Sequence, residues 1–317
     1  MAAPLSEFAA TPARVVVHDP SPTGALDALA AVPADELKER TLFAAHPDAA
    51  AFAEQHAALV RAIEEAGVEV VRLDELVAGS DVWRHVAANP NQVYTRDSVI
   101  TLPWLPGAYV AGAMRVPIRR SEVEVMSAAL RNLGLRELFA MPPGRYLEGG
   151  DVIPLVRAGR RTLLVGYGPR SARESIDLLW ERLAPDALDE VVGIELEPWR
   201  MNLDGVLVPV ASDTFLVHPG SIRGSFVRDA RGEREVDVLD LLRESAMEPI
   251  EVTRKESMEM QACNCFCLGD RRIVCYDLCS RTVEALRERG ITLTAVPGSE
   301  LIKGTGGPRC MTRPIYG

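Results

Sequence analysis

The C-terminal stretch Gly298-Ser-Glu-Leu-Ile-Lys-Gly-Thr-Gly-Gly-Pro-Arg-Cys310-Met-Thr-Arg-Pro314 is the part of the chain that most strongly suggests a chemistry. It places one cysteine in a turn rich in glycine and proline. Its glycines at 304, 306 and 307 predict positive φ and a close approach of the backbone to a ligand. Arg309 puts a cation beside Cys310, which favours the thiolate over the thiol. The stretch therefore predicts a loop that presents a nucleophile, the alternative being a tail loop that merely contains a cysteine.

Composition and charge exclude several classes of function. The chain has 317 residues, 47% hydrophobic and 25% charged, which is typical of a globular protein, and no long linker divides it. We therefore predict a single domain over residues 1–317. A net charge of −10 argues against a nucleic-acid partner and against a polybasic membrane contact. The N-terminus lacks the pattern of a secretory signal, and no run of about 18 apolar residues is present, so we predict a cytoplasmic location.

Five of the six cysteines lie between residues 263 and 279. Cys263, Cys265 and Cys267 alternate, which predicts one face of a strand. No C-x-x-C pair and no zinc-type spacing is present, so we predict small buried side chains in a reducing cytoplasm, with a metal or disulfide role as the alternative. No Gly-x-Gly-x-x-Gly motif follows a strand, so no dinucleotide site is expected. We predict neither a metal nor a cofactor.

Apolar periodicity predicts more strands than helices. Strands are expected at 14–18, 68–73, 93–102, 108–111, 152–155, 162–166, 206–210, 214–217, 250–252, 263–268, 273–276 and 293–296, and helices at 49–67, 121–133, 171–183 and 283–290. Hairpins alternate with single helices, which indicates about five similar units and differs from the βαβ alternation of a doubly wound sheet.

Three polar motifs each stand before an apolar strand. Tyr94-Thr-Arg-Asp97 places an acid at a strand entrance, and Tyr146-Leu-Glu148-Gly-Gly-Asp151 places two acids around a glycine pair. Paired carboxylates suit a planar cation, because they accept two parallel N–H bonds from a guanidinium, and a crowded carboxyl can also transfer protons. In Arg200-Met-Asn202-Leu-Asp204, the last two polar residues would share a face at a period of two. Each motif alone is also explained by a solvated turn.

In combination with the cysteine loop, these motifs resemble the guanidine-modifying enzymes of the pentein superfamily: arginine deiminases, dimethylarginine dimethylaminohydrolases and amidinotransferases. The resemblance is greatest to arginine deiminases, whose corresponding runs read like Thr95-Arg-Asp97, Leu147-Glu-Gly-Gly-Asp151 and Gly306-Gly-Pro-Arg-Cys310-Met. It extends from His18 to the end of the chain. It implies an α/β-propeller of five ββαβ-type units around a pseudo-fivefold axis, with the site at the centre.

The resemblance also implies roles for individual residues. Cys310 would attack the guanidinium carbon and form a covalent intermediate, while Asp97 and Asp204 would hold the guanidinium nitrogens. Glu148 would bind the cation and move protons. This agrees with the chemistry, because a guanidinium is a poor electrophile whose charge must be localised by carboxylates before a thiolate can substitute it.

Further residues complete the predicted substrate site. Arg115 and Arg170 match positions at which deiminases direct arginines toward the substrate carboxylate, and Asp151 is expected to help bind the substrate. The expected partner is a small arginine-like guanidino compound. A homodimer is expected only by analogy with the family.

The chain departs from the family pattern at Asn202, where the family has a histidine that protonates the leaving amine and then activates water. An asparagine cannot exchange a proton near neutral pH, and a general acid or base typically contributes about 10²–10⁴ in rate. His218 is expected on the surface or in the core of its hairpin. Three interpretations stay open: an inactivated variant, a natural enzyme in which Glu148 does all the proton work or the leaving group needs less help, and a binding protein without turnover.

Two further positions bear on the substrate and the reaction. Thr305 stands where deiminases carry an arginine for the substrate carboxylate, which favours a modified arginine or a guanidino compound with a differently placed carboxylate. Amidinotransferases usually have alanines where this chain has Gly149 and Gly150, which favours hydrolysis. We therefore predict a cysteine-dependent C–N hydrolase of linear amidines, with amidino transfer to an amine as the alternative.

Overall fold

The computed structural model describes residues 3–317, a chain of mixed α and β structure. The strands in this range are β1 (Arg14–Val17), β2 (Glu69–Arg72), β3 (Val99–Thr101), β4 (Ala108–Ala111), β5 (Arg136–Ala140), β6 (Val152–Arg157), β7 (Arg160–Tyr167), β8 (Glu190–Leu196), β9 (Leu207–Ala211), β10 (Thr214–Val217), β11 (Ile222–Asp229), β12 (Gly232–Val236), β13 (Glu248–Glu251), β14 (Phe266–Cys267), β15 (Arg272–Tyr276), β16 (Thr292–Val296) and β17 (Arg313–Ile315).

The helices are fewer than the strands. They are α1 (Ala25–Ala30), α2 (Leu37–Thr41), α3 (Ala49–Glu65), α4 (Leu73–Val77), α5 (Trp83–Ala88), α6 (Ser121–Asn132), α7 (Arg173–Leu183), α8 (Val238–Arg243), α9 (Arg254–Glu259) and α10 (Ser280–Glu288). In α3, the Asp48 carboxylate accepts the Ala51 N–H at 2.8 Å and starts the helix, and Gly67 ends it with a φ of 83°.

The strands form five separate sheets that repeat one pairing pattern. Each sheet contains an antiparallel pair followed by a parallel pair: β17-β1-β2, β3-β4-β5, β6-β7-β8, β9-β10-β13 and β14-β15-β16. A helix connects the two parallel strands each time, for example α6 between β4 and β5 and α10 between β15 and β16. The predicted recurrence of a hairpin and a helix is therefore confirmed.

One hairpin departs from the repeat. Strands β11 and β12 follow β10 directly and extend the third sheet by pairing β11 with β8 in the antiparallel sense. The sequence analysis missed these strands because β12 carries four exposed positions among its five and shows no apolar run.

The two ends of the chain meet in the first sheet. Strand β17 pairs antiparallel with β1, with Arg14 opposite Ile315 and Val16 opposite Arg313. The first sheet is thus the only one among residues 3–317 whose antiparallel pair joins the two ends of the chain. This pairing holds the C-terminal cysteine loop, which directly precedes β17, against the core.

Two predicted strands are wrong over part of their length. Only Val99–Thr101 of the predicted strand 93–102 is a strand, because Thr95 bonds to the Val16 carbonyl at 3.1 Å and Arg96 N donates to the Cys310 carbonyl at 3.0 Å. Only Phe266–Cys267 of the predicted strand 263–268 is a strand. The first three clustered cysteines therefore do not share one strand face, although all five are buried and free, as predicted.

The helices within residues 3–317 are each too short or too polar to cross a membrane.

A buried ion-pair cluster connects the N-terminal segment to the rest of the fold. The Glu7 carboxylate accepts hydrogen bonds from Arg96 at 3.0 Å and from Arg309 at 2.9 and 3.1 Å, and all three side chains are buried. Burial raises the pKa of Glu7, but the charges of Arg309 and Arg96 outweigh it and hold that pKa at about 2. The carboxylate therefore stays charged over the whole range in which the protein is expected to be folded.

We expect Glu7→Gln to lower the free energy of unfolding by about 3–5 kcal/mol, because it leaves two buried arginines without their shared carboxylate. Urea unfolding at pH 7 measures the change. Glu36→Gln is the control, since Glu36 pairs with Arg40 on the surface and should contribute less than about 1 kcal/mol. The difference between wild type and Glu7→Gln should shrink as pH falls from the ordinary value of 4.5 toward about 2. Equal effects of the two substitutions would contradict this role.

Candidate active site

Apart from the two arginines, Arg115 and Arg170, the predicted site residues occupy the same position in their units of the fold. Each lies in the short segment that precedes the first strand of its unit: Asp97 before β3, Glu148 and Asp151 before β6, Asn202 and Asp204 before β9, and Cys310 before β17. The fifth unit contributes Asn264, which comes two residues before β14. The structure thus brings these segments, which are distant in sequence, to one place.

Asn264 is the functional candidate that the sequence analysis missed. Its Nδ2 donates to Cys310 Sγ at 3.0 Å, and its Oδ1 accepts the Cys310 backbone N–H at 3.0 Å. An asparagine between two buried cysteines gave no local signal. Its position before the first strand of a unit, where the other four units carry site residues, is the signal that would have found it.

The free Cys310 thiol is not activated in the way that the sequence predicted. Burial raises the pKa of Cys310 well above its usual range, the carboxylates of Asp204 and Asp97 raise it further, and the hydrogen bonds from Gly307 and Asn264 only partly offset this. The side chain of Arg309 points to Glu7 and to Asp204, where it donates to Oδ2 at 3.1 Å, instead of pairing with the thiol. Arg309 and an ionised Cys310 attract each other, as predicted, but burial and the two carboxylates outweigh this attraction and raise the pKa of the thiol.

Asp204 lies directly beside Cys310. Cys310 Sγ is 3.4 Å from its Oδ2. Burial raises the pKa of Asp204, and the charge of Arg309 acts in the opposite direction. Asn202 precedes a single 3-10 turn that contains Asp204, so the two do not alternate along a strand as predicted, yet both line the same cavity.

Asp97 is held by a second buried arginine. Arg119 donates to its Oδ2 at 2.8 Å and also contacts Glu122 at 2.7 Å, while the Gly150 N–H donates to Asp97 Oδ1 at 3.0 Å. A Cβ on Gly150 would lie 2.6 Å from that oxygen, so only glycine fits there. The glycine pair of the second motif therefore serves to bring Asp97 against the next unit.

Asn202 joins the two acids of the second motif. Its Nδ2 donates to Glu148 Oε2 at 3.1 Å and to Asp151 Oδ2 at 3.0 Å. Asp151 also accepts bonds from Ser171 at 2.6 Å and from the Leu203 N–H at 2.7 Å. Burial raises the pKa of Asp151 well above its usual range, and the Glu148 charge adds to this. Asn202 thus occupies a position between two buried carboxyl groups, one of which retains its proton to higher pH than a free aspartate.

Two adjoining cavities meet at Cys310. A small one of about 30 Å³ is bounded by Asp97 and Arg119, and a larger one of about 320 Å³ is bounded by Asp204 and Asn264. The side chains that line both are Leu42, Arg170, Met201, Asn202, Thr305 and Cys310. Glu148 and Asp151 line neither cavity and contact them only through Asn202 and Arg170. A surface cleft of about 630 Å³ near Trp180 contains none of the predicted site residues.

The two predicted carboxylate-binding arginines lie in different settings. Arg170 lines both cavities and pairs with Glu148 at 3.3 Å. Arg115 lines neither cavity: its Nε donates to the Arg170 carbonyl at 3.1 Å and its guanidinium lies 4.7 Å from the centre of the Tyr146 ring. Arg115 can therefore act only by supporting Arg170 in this conformation.

The glycines of the cysteine loop serve packing. Positive φ was predicted at 304, 306 and 307, but in this turn Thr305 is the residue with positive φ, at 72°. A Cβ at Gly304 or Gly306 would collide with Tyr94, and one at Gly307 would lie 2.6 Å from Asn264. The close approach that requires glycine is therefore to protein side chains that surround the nucleophile.

Histidine and metal chemistry have no evident place at these cavities. His218 lies in the segment after β10, half-buried, with its Nδ1 2.6 Å from Ser221 Oγ and its ring against Trp199. No histidine lines either cavity in the described chain. Within residues 3–317, no group of three or more His, Cys, Asp or Glu side chains is placed to hold a metal ion.

Solved structures of similar fold define the class of protein. The N-terminal domain of ArgZ, an arginine dihydrolase of cyanobacteria, has a TM-score of 0.71 and 21% identity, covering 96% of this chain and 97% of that one. A dimethylarginine dimethylaminohydrolase has a TM-score of 0.67 and 19% identity, covering 96% of this chain and 100% of that one. Similarity at this level of identity establishes the fold, which is the mixed α/β fold of the pentein superfamily.

Sequence comparison then defines the family. Residues 84–316 match the model of the family "arginine deiminase", so the chain belongs to the arginine deiminase family. The arginine deiminase of Lactococcus lactis is 27% identical over 277 residues, which cover 76% of this chain and 65% of the relative. That of Mycoplasma capricolum is 27% identical over 191 residues, which cover 54% of this chain and 47% of the relative. The chain thus spans about half to two thirds of the length of these relatives.

We expect Asn264→Asp to raise the pKa of the Cys310 thiol further. The new carboxylate still accepts the Cys310 N–H but replaces the donor at Sγ with a negative charge. Alkylation by iodoacetamide at pH 8 should slow by about tenfold or more, one unit of pKa being a tenfold change in thiolate. Asn132→Asp is the control, because Asn132 is exposed and bonds only to the Leu76 carbonyl. An unchanged alkylation rate would contradict a role of Asn264 in lowering the pKa of the Cys310 thiol.

Proposed function

We propose that this protein is a cysteine-dependent hydrolase that acts on the guanidinium carbon of arginine or an arginine-like compound. The observation that carries the proposal is the position of Cys310 Sγ, 3.4 Å from Asp204 Oδ2 and at the junction of two cavities, one of which Asp97 bounds. A nucleophile between two carboxylates suits a planar cation, since the acids hold its nitrogens while the sulfur faces its carbon. Membership of a family of guanidino-group hydrolases supports the same chemistry.

The two carboxylates can still bind a guanidinium although arginines already contact them. Arg309 and the thiol both use Asp204 Oδ2, and Oδ1 accepts no hydrogen bond from residues 3–317. Arg119 uses Asp97 Oδ2. A substrate cation between these acids offsets their negative charge, and that charge is one cause of the raised pKa of Cys310. Substrate binding therefore favours the thiolate that the empty site disfavours.

The proposed reaction has two substitutions at one carbon. The Cys310 thiolate attacks the guanidinium carbon, and the C–N bond to the leaving amine breaks once that nitrogen gains a proton, which leaves a covalent thiouronium on Cys310. Water then attacks the same carbon, loses a proton to the protein, and the C–S bond breaks, which releases a ureido product and restores the cysteine. Asp97 and Asp204 balance the positive charge throughout.

We assign the proton transfers to Glu148, with Asp151 as its partner. Neither residue lines a cavity, so the substrate must displace Asn202 or Arg170 for Glu148 to reach the leaving nitrogen. The two carboxyl groups share the Nδ2 amide of Asn202, and burial raises the pKa of Asp151, so Asp151 keeps its proton to higher pH than a free aspartate does. Asn202 orients the pair but exchanges no proton itself. This assignment replaces the histidine that the family carries at position 202.

Two alternatives remain distinct from this proposal. The absence of a cavity-lining histidine among the described residues favours a guanidino-compound binding protein without turnover. Amidino transfer to an amine would use the same covalent intermediate with an amine in place of water, and the glycine pair at 149–150 favours water.

We also propose that the five units surround a pseudo-fivefold axis, because each contributes its pre-strand segment to the same site. A single domain, a homodimer and a cytoplasmic location stay predictions.

Substitution of Asn202 by histidine tests whether the native chain is an active enzyme or an inactivated variant. We expect Asn202→His to increase turnover of arginine, methylated arginines or shorter guanidino acids by about 10²–10⁴, because it adds a general acid and base in contact with Glu148 and Asp151. Ammonia and amine release and a mass adduct on Cys310 are measured, with Cys310→Ser as the control without turnover. If the native chain turns over a substrate and the histidine does not improve it, Asn202 belongs to a distinct chemistry. Turnover by Cys310→Ser would overturn the covalent mechanism.

A reactive probe separates an enzyme from a binding protein. A haloacetamidine carries a cation that mimics guanidinium, so we expect it to alkylate Cys310 faster than neutral iodoacetamide does at equal concentration. The preference should fall in Asp204→Asn, which removes one of the two charges at the thiol. Equal rates for the two reagents in the native protein would favour an inert thiol and sink the proposed guanidinium site.

A further inference from the structure

Arg200 is a buried cation that lacks a protein partner. Its side chain is 6% exposed, and its Nε is fully buried without a hydrogen-bond acceptor. No carboxylate in residues 3–317 lies within ion-pair distance of it. The buried arginines nearby differ in this respect: Arg96 and Arg309 share Glu7, and Arg119 pairs with Asp97.

An unpaired buried guanidinium is costly, because it loses water without gaining an anion. Burial lowers the pKa of Arg200, the nearby Asp204 charge partly offsets this, and Arg254 lowers it further. The Arg200 side chain makes no hydrogen bond or ion pair within residues 3–317, and its one aromatic contact there is with the neighbouring Trp199. A buried charge that contributes nothing to the fold is expected where a ligand supplies the missing partner.

Arg200 lines the larger cavity, the one that contains Cys310 Sγ and Asp204. Its guanidinium lies against the backbone of Gly205, where a Cβ would collide with one of its terminal nitrogens. The guanidinium of Arg200 lies 5.8 Å from the centre of the Trp199 ring, and that of the exposed Arg254 lies 4.1 Å from the same centre. Arg200 is thus a fixed and enclosed donor on the cavity wall.

The charges that face this cavity favour an anion at Arg200. Three cations line it, Lys38, Arg170 and Arg200, against the single carboxylate of Asp204. Arg170 is already paired with Glu148, and Asp204 with Arg309. Lys38 is exposed at the rim. Arg200 is therefore the one buried cation on the described wall of this cavity that has no carboxylate of its own.

We propose that Arg200 binds the carboxylate of the guanidino compound whose guanidinium reacts at Cys310, an inference that rests on the proposed function. Asp204 contacts Cys310, Arg200 lies against the next residue, Gly205, and all four line the larger cavity. The ligand class is a guanidino carboxylate. Thr305, which lines the same cavity, offers no charge to that carboxylate. The planar fork of Arg200 suits bidentate binding of a carboxylate.

Matched ligands test the inference on a chain that retains Arg200 but cannot turn the ligand over. The Kd of Cys310→Ser protein is measured by calorimetry for guanidino acids of two to five carbons and for alkylguanidines of equal length that lack the carboxylate. We expect at least one acid to bind roughly 10- to 100-fold more tightly than the alkylguanidine of equal length, the range for a hydrogen-bonded charged pair. Equal affinity within every pair would overturn the inference.

Substitutions then locate the carboxylate. Arg200→Gln should remove that 10- to 100-fold difference and leave alkylguanidine affinity unchanged, and Arg200→Lys should restore part of it. Arg254→Gln is the matched control, because it removes a cation from the other contact of Trp199 without altering the cavity wall. A merely structural Arg200 would lower the affinity for acids and alkylguanidines alike. Loss confined to Arg254→Gln would also overturn the assignment.

Stability gives an independent readout. Because Arg200 has no partner, we expect the unliganded Arg200→Gln protein to have a Tm equal to or higher than that of the native chain, whereas a structural role requires a lower Tm. Failure of the proposed function is distinguishable: neither the acids nor the alkylguanidines would then bind or protect native Cys310 from iodoacetamide. If guanidinium binds and the carboxylate adds nothing, only the assignment of Arg200 fails.

Discussion

The buried guanidinium of Arg309 is the interaction on which the arrangement of the site depends. It donates to Glu7 in the N-terminal segment, to Asp204 ahead of β9 and to the Val152 carbonyl in β6, and it directly precedes Cys310 in the chain. An unpaired buried cation is costly, so the convergence of these three segments on Arg309 stabilises the fold. The nucleophile is thereby placed by an electrostatic requirement of the core.

The repeated units of the fold bring further polar residues to the place where these segments converge. Each unit begins with a short first strand, and the residues that precede it lie where the units meet. There the backbone cannot pair within its own sheet, as with the Arg96 N–H that bonds to the Cys310 carbonyl. Polar side chains at these points satisfy one another across units: Asn264 bonds to Cys310, and Asn202 to Glu148 and Asp151. The residues that connect the units by hydrogen bonds are therefore the same residues that form the candidate site.

Not every charge at the site is satisfied, and the exceptions are informative. The thiol of Cys310 lies in a field of carboxylates that raises its pKa, and Arg200 faces a cavity without an anion. The guanidino carboxylate that we propose as the ligand would balance both, with its cation near Cys310 and its anion at Arg200. Groups that cost stability in the free protein and are balanced by a ligand are typical of binding sites. The larger cavity thus contains a candidate contact for each end of the proposed ligand.

Local sequence sufficed for much of the protein, because periodicity and motifs depend on neighbours in the chain. The hairpin-and-helix recurrence, the buried free cysteines and the segments carrying Asp97, Glu148, Asp204 and Cys310 were all predictable from it. It predicted the wrong partner for Arg309, extended two strands too far and overlooked Asn264 and Arg200. Those features depend on contacts between units that lie far apart in sequence. Only the packed chain decides which carboxylate pairs with a buried arginine and which arginine has none. The reason is that burial removes water, so the energy of each charge depends on all the groups around it.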